Sequence, residues 1–162
     1  MKNGKVIAYY GNGRGKTSSA LGYALAEAGK GDNAIIISFL KQKEGDVNDF
    51  MKRLEPDIRL FRFQKSEKIY DDLTEEERVD ENRNMLNGLN YARKTLVNED
   101  CSVLVLDEIL GLLDRGIISM DQMQSLLNAR QPETDLVLTG RVLHEELLPF
   151  VDQAYEISVT KS

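Results

Sequence analysis

Residues 11–17, with the sequence Gly-Asn-Gly-Arg-Gly-Lys-Thr, are the segment that most restricts what this chain can fold into. They follow an apolar run within a β-strand predicted for residues 5–10, and they precede a helix predicted for Thr17 to Ala28. A strand, a glycine-rich turn and a helix in this order form a phosphate-binding P-loop. Glycines let backbone N–H groups converge on an anion, and the helix start adds partial positive charge. The segment therefore predicts a nucleotide site on an α/β scaffold.

The spacing of this loop differs from the standard P-loop pattern, Gly-x-x-x-x-Gly-Lys-Ser/Thr, which would place a glycine at Tyr10. The first glycine is Gly11, so the loop is one residue shorter and its three glycines alternate with other residues. Lys16 supplies a cation for phosphate oxygens, and the Thr17 hydroxyl suits Mg²⁺. The sequence thus predicts phosphate binding by a loop of unusual length.

A second motif, Val-Leu-Val-Leu-Asp-Glu at residues 103–108, has the pattern of a Walker B strand. Four apolar residues place a carboxylate at the carboxyl end of a buried strand, where ligands bind in parallel sheets. Asp107 or Glu108 is expected to meet a Mg²⁺ ion held by Thr17. Two roles remain open for Glu108: it polarises an attacking water molecule, or it is a metal ligand that activates no water.

Strand and helix patterns alternate along the rest of the chain. The pattern predicts βαβ units and hence a mainly parallel sheet with helices on both faces. We therefore expect one P-loop NTPase-like (RecA-like) domain, a three-layer α/β sandwich over residues 1–162. Strands are predicted at 34–40, 58–63, 103–107, 136–139 and 155–159, and helices at 74–97, up to Gly116, and from Ser119 to about 130.

The composition limits the classes of partner and the location that we expect for this protein. A formal net charge of −6 argues against general nucleic-acid binding, because a phosphate backbone would be repelled. The single cysteine, Cys101, excludes an intrachain disulfide, and we expect it to serve packing rather than reactivity. The sequence has neither a signal-peptide pattern nor an apolar run long enough to span a bilayer. The expectation is a cytoplasmic protein without membrane association.

With both motifs placed, the chain resembles the P-loop family of ATP:corrinoid adenosyltransferases, the cob(I)yrinic acid a,c-diamide adenosyltransferases. The resemblance covers most of the chain and is most specific in the short loop and in Thr139-Gly140-Arg141 with His144. Further similarities are Ala20-Leu21-Gly22, Ala28-Gly29-Lys30-Gly31, Phe39-Leu40-Lys41, Leu106-Asp107-Glu108, Leu127-Asn128-Ala129-Arg130 and Asp152.

The resemblance implies transfer of the 5′-deoxyadenosyl group of ATP to a reduced corrinoid, as in cobalamin biosynthesis or salvage. Cobalt(I) attacks the ribose C5′ carbon, and triphosphate leaves. ATP is held in the reverse orientation relative to other P-loop proteins, and the shortened loop accompanies that change. The implied cofactor is Mg²⁺, and the implied partners are ATP, the corrinoid, an electron-donating reductase and a second copy of the chain in a homodimer.

The resemblance also implies roles for individual residues. Lys16 and Glu108 are the expected catalytic residues, and Thr17, Asp107 and Glu108 are the expected Mg²⁺ ligands. The nucleotide-binding residues are expected in the loop, at the start of the following helix and after a later strand: Gly11, Asn12, Gly13, Arg14, Gly15, Lys16, Thr17, Ser18 and Arg141.

Two of the matching residues keep alternative interpretations. Arg141 is either a phosphate contact or a surface arginine on a turn. His144, the only histidine, either takes part in catalysis, orients its turn by hydrogen bonding, or lies half-solvated at a helix start.

The chain departs from the family pattern mainly on the corrinoid side. It has no tryptophan, whereas the full-length enzymes place bulky aromatic residues near the lower face of the corrinoid. Phe61, Phe63 and Tyr70 lie in the corresponding region, and the first two are expected to pack against the sheet. Ala26 stands where members commonly carry an arginine, and residues 1–162 contain neither the family's N-terminal segment nor its C-terminal tail.

Three hypotheses follow from these departures: a working adenosyltransferase with a minimal corrinoid site, a Mg²⁺-dependent ATPase or kinase on the same scaffold, and a nucleotide- or corrinoid-sensing protein that does not catalyse.

Overall fold

A computed structural model describes residues 3–40 and 48–162. Within these residues six strands form one sheet in the order β3-β2-β4-β5-β1-β6, and neighbouring strands all pair in parallel. The strands are β1 Val6–Tyr10, β2 Ala34–Ser38, β3 Ile58–Arg62, β4 Val103–Asp107, β5 Asp135–Gly140 and β6 Gln153–Glu156. Both motif strands are central, and β5 lies between β1 and β4.

Five α-helices connect these strands: α1 Lys16–Ala28, α2 Asn48–Met51, α3 Glu75–Asn98, α4 Ile109–Asp114 and α5 Met120–Asn128. Short 3₁₀ turns occupy Lys52–Leu54, Tyr70–Asp72 and Glu145–Phe150. Capping boxes begin α3 and α5, where the Thr74 and Ser119 hydroxyls each accept a backbone hydrogen bond at 3.1 Å. Among the described residues, no helix combines the length and apolar character that a membrane crossing requires.

The helices cover the sheet in two layers, which gives the three-layer architecture expected from the sequence. On β4, Leu104 and Leu106 face a core shared with α3, α4 and α5, whereas Val103 and Val105 face a second core shared with α1. Successive side chains of a strand point to opposite faces, so a strand covered on both sides must be apolar throughout. This requirement explains the continuous apolar runs of β2 and β4.

Two strands differ from their predicted bounds by two residues or more. The last strand is Gln153–Glu156 rather than residues 155–159, and Ile7 pairs with Gln153 at its start. This strand lies at the sheet edge with its last three side chains exposed, so its apolar pattern is weak. Strand β2 ends at Ser38 rather than residue 40, although Phe39 and Leu40 are buried. Lys41, which belongs to the family pattern, lies outside the described residues.

The aromatic residues at the end of β3 and after it pack against α3. The rings of Phe61 and Phe63 lie 5.1 Å and 5.7 Å from the Tyr91 ring of α3, measured between centroids. Phe63 follows the last residue of β3, which ends at Arg62 instead of residue 63. Tyr70 is buried, and its hydroxyl donates to the Asn82 side-chain oxygen at 2.6 Å. The expected packing role of Phe61 and Phe63 is therefore confirmed.

Cys101 is buried just before β4, and burial raises the pKa of its thiol to about 12. Because the thiolate is the reactive form, we expect a thiol reagent at about pH 8 to leave the folded protein unlabelled. The same reagent should label one thiol per chain after unfolding in denaturant, which provides the control. Labelling is measured by absorbance, and rapid labelling of the folded protein would contradict the packing role of Cys101.

Candidate nucleotide-binding site

The glycine-rich loop connects the carboxyl end of β1 with the first residue of α1. Gly15 caps the helix with φ 107°, a left-handed conformation that favours glycine. The first hydrogen bond within the helix runs from the Ser19 N–H to the Gly15 carbonyl at 2.8 Å. The N–H groups of Lys16, Thr17 and Ser18 precede that bond, so they have no partner within the helix. N–H groups of this kind, at the positive end of a helix dipole, are able to bind an anion.

The first two glycines of the loop attach it to neighbouring strands. The Gly11 N–H donates to the carbonyl oxygens of Gly140 at 3.2 Å and Arg141 at 3.0 Å, and the Gly13 N–H donates to that of Ile157 at 2.9 Å. These N–H groups are thus engaged by protein carbonyls. Phosphate binding by the residues from Gly11 to Lys16 stays a prediction.

Four polar side chains predicted for this site lie around the loop. The Lys16 Nζ donates to the Gly13 carbonyl at 2.9 Å. Asn12, Arg14 and Ser18 are exposed.

Arg141 is likewise exposed, and its own carbonyl accepts from the Gly11 N–H. The structure therefore brings the end of β5 and the phosphate loop together. The phosphate contact of the Arg141 side chain stays a prediction.

Thr17 and Asp107, from the two motifs, are in direct contact. The Thr17 hydroxyl donates to Asp107 Oδ1 at 2.9 Å, and the Thr139 hydroxyl donates to the same oxygen at 2.7 Å. Asp107 is 5% exposed, and this burial raises its pKa, while the two hydroxyl bonds and the charges of Arg62 and Lys16 act in the opposite direction. This contact, which joins α1, β5 and β4, is the centre of the candidate site.

Glu108 follows Asp107 with a left-handed backbone, φ 65°, and is 8% exposed. Its N–H donates to the Thr139 hydroxyl oxygen at 2.8 Å, and its carbonyl accepts from the Gly111 N–H at 3.1 Å in the first turn of α4. A β-carbon built on Gly111 would lie 3.1 Å from Glu108 Oε2, so the carboxylate lies over that turn. The structure thus pairs Thr17 with Asp107, whereas the carboxylate of the next residue, Glu108, lies over the first turn of α4.

Thr139 is a residue of this site that sequence reasoning named only as part of a family similarity. A sequence signal was present, because Thr139 is the first polar residue after the apolar run Leu136–Leu138. Its significance depends on the strand order, since only a strand between β1 and β4 can reach both motifs.

The donor atoms at this site fit a Mg²⁺ ion that also takes phosphate oxygens. Within residues 3–40 and 48–162, no three His, Cys, Asp or Glu side chains cluster as a metal cage. Mg²⁺ in nucleotide sites is usually held by one or two carboxylates together with substrate phosphates. The Thr17 hydroxyl and the carboxylates of Asp107 and Glu108 are donors of that kind.

His144 and Ala26 lie apart from this centre. The His144 Nε2 is 3.1 Å from Asp114 Oδ1, and His144 precedes the 3₁₀ turn Glu145–Phe150. That contact favours a role in orienting the turn. Ala26 is exposed on α1, ten residues after Lys16, which corresponds to about 15 Å along the helix axis.

Comparison with known proteins agrees with this geometry. The curated corrinoid adenosyltransferase of Escherichia coli K12 is 25% identical over 162 residues, which cover 99% of this chain and 79% of that protein. The corrinoid adenosyltransferase CobA of Salmonella typhimurium LT2 is 26% identical with the same coverage. An uncharacterised protein of Nostoc, all2391, is 30% identical over 92% of this chain, which spans only 42% of that protein.

A solved structure supports the fold alone. EssC (ATPases 2 and 3) from Geobacillus thermodenitrificans superposes with a TM-score of 0.53 at 13% identity, over 98% of this chain and 32% of that chain. This similarity supports the expected fold, a parallel sheet with helices on both faces. A sequence model of the family ATP:corrinoid adenosyltransferase BtuR/CobO/CobP matches residues 2–162, and the chain belongs to this family.

Proposed function

We propose that this protein transfers the 5′-deoxyadenosyl group of ATP to the cobalt(I) of a reduced corrinoid and releases triphosphate. The observation that carries the proposal is the hydrogen bond of the Thr17 hydroxyl to Asp107 at 2.9 Å. Thr17 ends a glycine-rich loop that is one residue shorter than the standard P-loop pattern. Membership of a corrinoid adenosyltransferase family supplies the substrate class.

In the proposed reaction, the electron pair of cobalt(I) forms the bond to C5′. The C5′–oxygen bond breaks, and its electron pair leaves with triphosphate. No general base is needed, because the nucleophile carries no proton. The protein has to hold C5′ in line with the cobalt, exclude water and stabilise the charge that develops on the leaving group.

The residues around the loop can supply that stabilisation. The N–H groups at the start of α1 and the Lys16 ammonium would bind the triphosphate oxygens. Thr17 and Asp107, with Glu108 beside them, would hold Mg²⁺, which when bound neutralises part of the phosphate charge. Both contributions grow as negative charge moves onto the triphosphate, so they favour the transition state over bound ATP.

An anaerobic assay with chemically reduced cob(I)alamin and Mg-ATP tests the proposal. We expect the light-sensitive absorbance spectrum of adenosylcobalamin, with one triphosphate released for each corrinoid converted. A corrinoid spectrum that stays unchanged while ATP remains bound and intact would refute it and favour a nucleotide-binding protein without catalysis. Supplying cobalt(I) chemically makes the assay independent of the reductase that the reaction requires in a cell.

A second candidate function, Mg²⁺-dependent ATP hydrolysis, is favoured by one observation. Glu108 is nearly buried directly beside Asp107, where a carboxylate can polarise a water molecule. Release of orthophosphate from Mg-ATP without any corrinoid would support this function, whereas triphosphate is the product of adenosyl transfer. The homodimer is proposed on the family resemblance, and the cytoplasmic location stays a prediction from the sequence.

We expect Glu108→Gln to lower the rate of adenosyl transfer and the Mg²⁺-dependent part of ATP affinity by at least about tenfold, because a negative charge next to the ion is lost. Titrations of ATP with and without Mg²⁺ measure the second effect. Glu81→Gln is a matched control, since Glu81 is 5% exposed and accepts backbone hydrogen bonds from Lys65 and Ser66 in another part of the protein. An unchanged Mg²⁺ dependence in Glu108→Gln would remove Glu108 from the metal ligands.

A further inference from the structure

Thr139 connects the two acidic residues of the site through a single hydroxyl group. It lies on β5, between the strands that carry the two motifs, and its side chain is fully buried. The hydroxyl donates to Asp107 Oδ1 at 2.7 Å and accepts from the Glu108 N–H at 2.8 Å. Donor and acceptor capacity are therefore both used on consecutive residues at the carboxyl end of β4.

The bond to Glu108 supports an unusual backbone conformation. At φ 65° and ψ 21°, Glu108 is in the left-handed region, which L-residues seldom adopt because the β-carbon crowds the following carbonyl. The Glu108 N–H precedes the first turn of α4, so the helix offers it no acceptor. The Thr139 oxygen provides that acceptor in a buried position, where an unpaired N–H would be costly.

The residue after Thr139 fixes the same region sterically. A β-carbon on Gly140 would collide with the Leu110 β-carbon, so the first turn of α4 lies directly against the end of β5. The last two residues of β5 thus determine where Glu108 and α4 are placed.

The bond to Asp107 orients its carboxylate. Thr17 and Thr139 both donate to Oδ1, at 2.9 Å and 2.7 Å, and neither of these bonds reaches Oδ2. The Thr139 hydroxyl reaches this oxygen from β5, the strand next to β4, whereas the Thr17 hydroxyl reaches it from α1. It can therefore hold the carboxylate in place whether or not Thr17 is engaged with a ligand.

We infer that Thr139 is a positioning residue of the Mg-ATP site, which orients the Asp107 carboxylate toward Thr17 and holds Glu108 in its left-handed conformation. The inference rests on the proposed function only in taking Mg-ATP as the ligand. It does not depend on transfer to a corrinoid.

The test compares Thr139→Ala with Thr139→Ser, which differ by one oxygen atom. Calorimetric titration with ATP, in the presence and absence of Mg²⁺, gives the factor by which Mg²⁺ increases affinity. We expect Thr139→Ser to keep this factor within about threefold of the wild-type value and Thr139→Ala to reduce it by at least about tenfold, the usual size of effects on residues that orient metal ligands.

Thr95→Val is the matched control for loss of a buried hydroxyl. Thr95 is 1% exposed, lies on α3 and donates to the Tyr91 carbonyl at 2.8 Å. This variant is expected to lower the thermal unfolding temperature without changing the Mg²⁺ factor. Thr139→Ala would give the same result if the role of Thr139 were purely structural.

An unchanged Mg²⁺ factor in Thr139→Ala would overturn the inference. If Thr139→Ala does not fold, Thr139→Cys carries the same comparison, because a thiol is close to serine in size but a weak hydrogen-bond donor. Wild-type protein that shows the Mg²⁺ factor but makes no adenosylcobalamin would refute the proposed function and leave the role of Thr139 intact, so the two failures are distinguishable.

Discussion

Lys16→Ala is expected to weaken Mg-ATP binding by roughly 100-fold or more while leaving the unfolding temperature unchanged. Lys16 is the first residue of α1, and we expect its ammonium group to bind phosphate oxygens together with the N–H groups of the helix start. A charge-assisted hydrogen bond contributes about 1.5–3 kcal/mol, and an ammonium group can make more than one to a triphosphate. The side chain is absent from both hydrophobic cores, and its Nζ bonds to the Gly13 carbonyl at 2.9 Å. Its removal should therefore cost affinity rather than stability.

Lys30→Ala is the matched control for this variant. Lys30 follows the other end of α1, its side chain is 68% exposed, and its Nζ lies 3.1 Å from Glu27 Oε1. Each variant removes one lysine charge, but only Lys16 is at the loop. Calorimetry should therefore find wild-type ATP affinity in Lys30→Ala and a strongly reduced one in Lys16→Ala. Normal Mg-ATP binding by Lys16→Ala would mean that residues 11–17 are not the nucleotide site.

Most of the sheet could be predicted from the sequence because its central strands are covered on both faces. Burial on both sides requires a continuous apolar run, as in β2 and β4, and such runs are easy to identify. The parallel direction followed from the alternation of strands and helices. The edge strand β6 begins two residues earlier and ends three residues earlier than predicted, because an exposed edge places little demand on side-chain type.

The candidate site was predictable in its motifs but not in its connections. The spacing in residues 11–17 and 103–108 predicted Lys16, Thr17 and Asp107 as site residues, because both motifs have a recognisable position relative to an apolar strand pattern. The convergence of Thr17 and Thr139 on one carboxylate oxygen depends on β5 lying between β1 and β4. Local periodicity contains no information on strand order, so this contact could not be predicted from it.

The hydrogen bonds that attach the loop to the sheet could not be predicted for the same reason. The carbonyl groups that accept from Gly11 and Gly13 belong to residues more than a hundred positions later, after β5 and β6. A motif describes which backbone groups are able to face an anion. Which of these groups remain available to an anion depends on the hydrogen bonds that the neighbouring strands form with the loop.

Asp107→Asn is expected to remove most of the Mg²⁺-dependent gain in ATP affinity, a loss of at least about tenfold. The amide oxygen can still accept the hydrogen bonds from Thr17 and Thr139, so the variant changes the charge at this position with little change in shape. A divalent cation between a triphosphate and a neutral amide has lost a negatively charged ligand. Titrations of ATP with and without Mg²⁺ measure the difference.

Asp135→Asn separates this effect from the general cost of altering a buried aspartate. Asp135 is 2% exposed and lies at the amino end of β5, opposite the carboxyl end that carries Thr139. It accepts hydrogen bonds from the Lys5 N–H at 2.9 Å and the Tyr23 hydroxyl at 2.7 Å. Its replacement should lower the unfolding temperature and leave the Mg²⁺ dependence of ATP binding unchanged. If Asp107→Asn instead behaves like Asp135→Asn, the carboxylate at the end of β4 stabilises the fold and does not bind the metal. The metal ligands would then have to be sought among Thr17, Glu108 and the phosphates themselves.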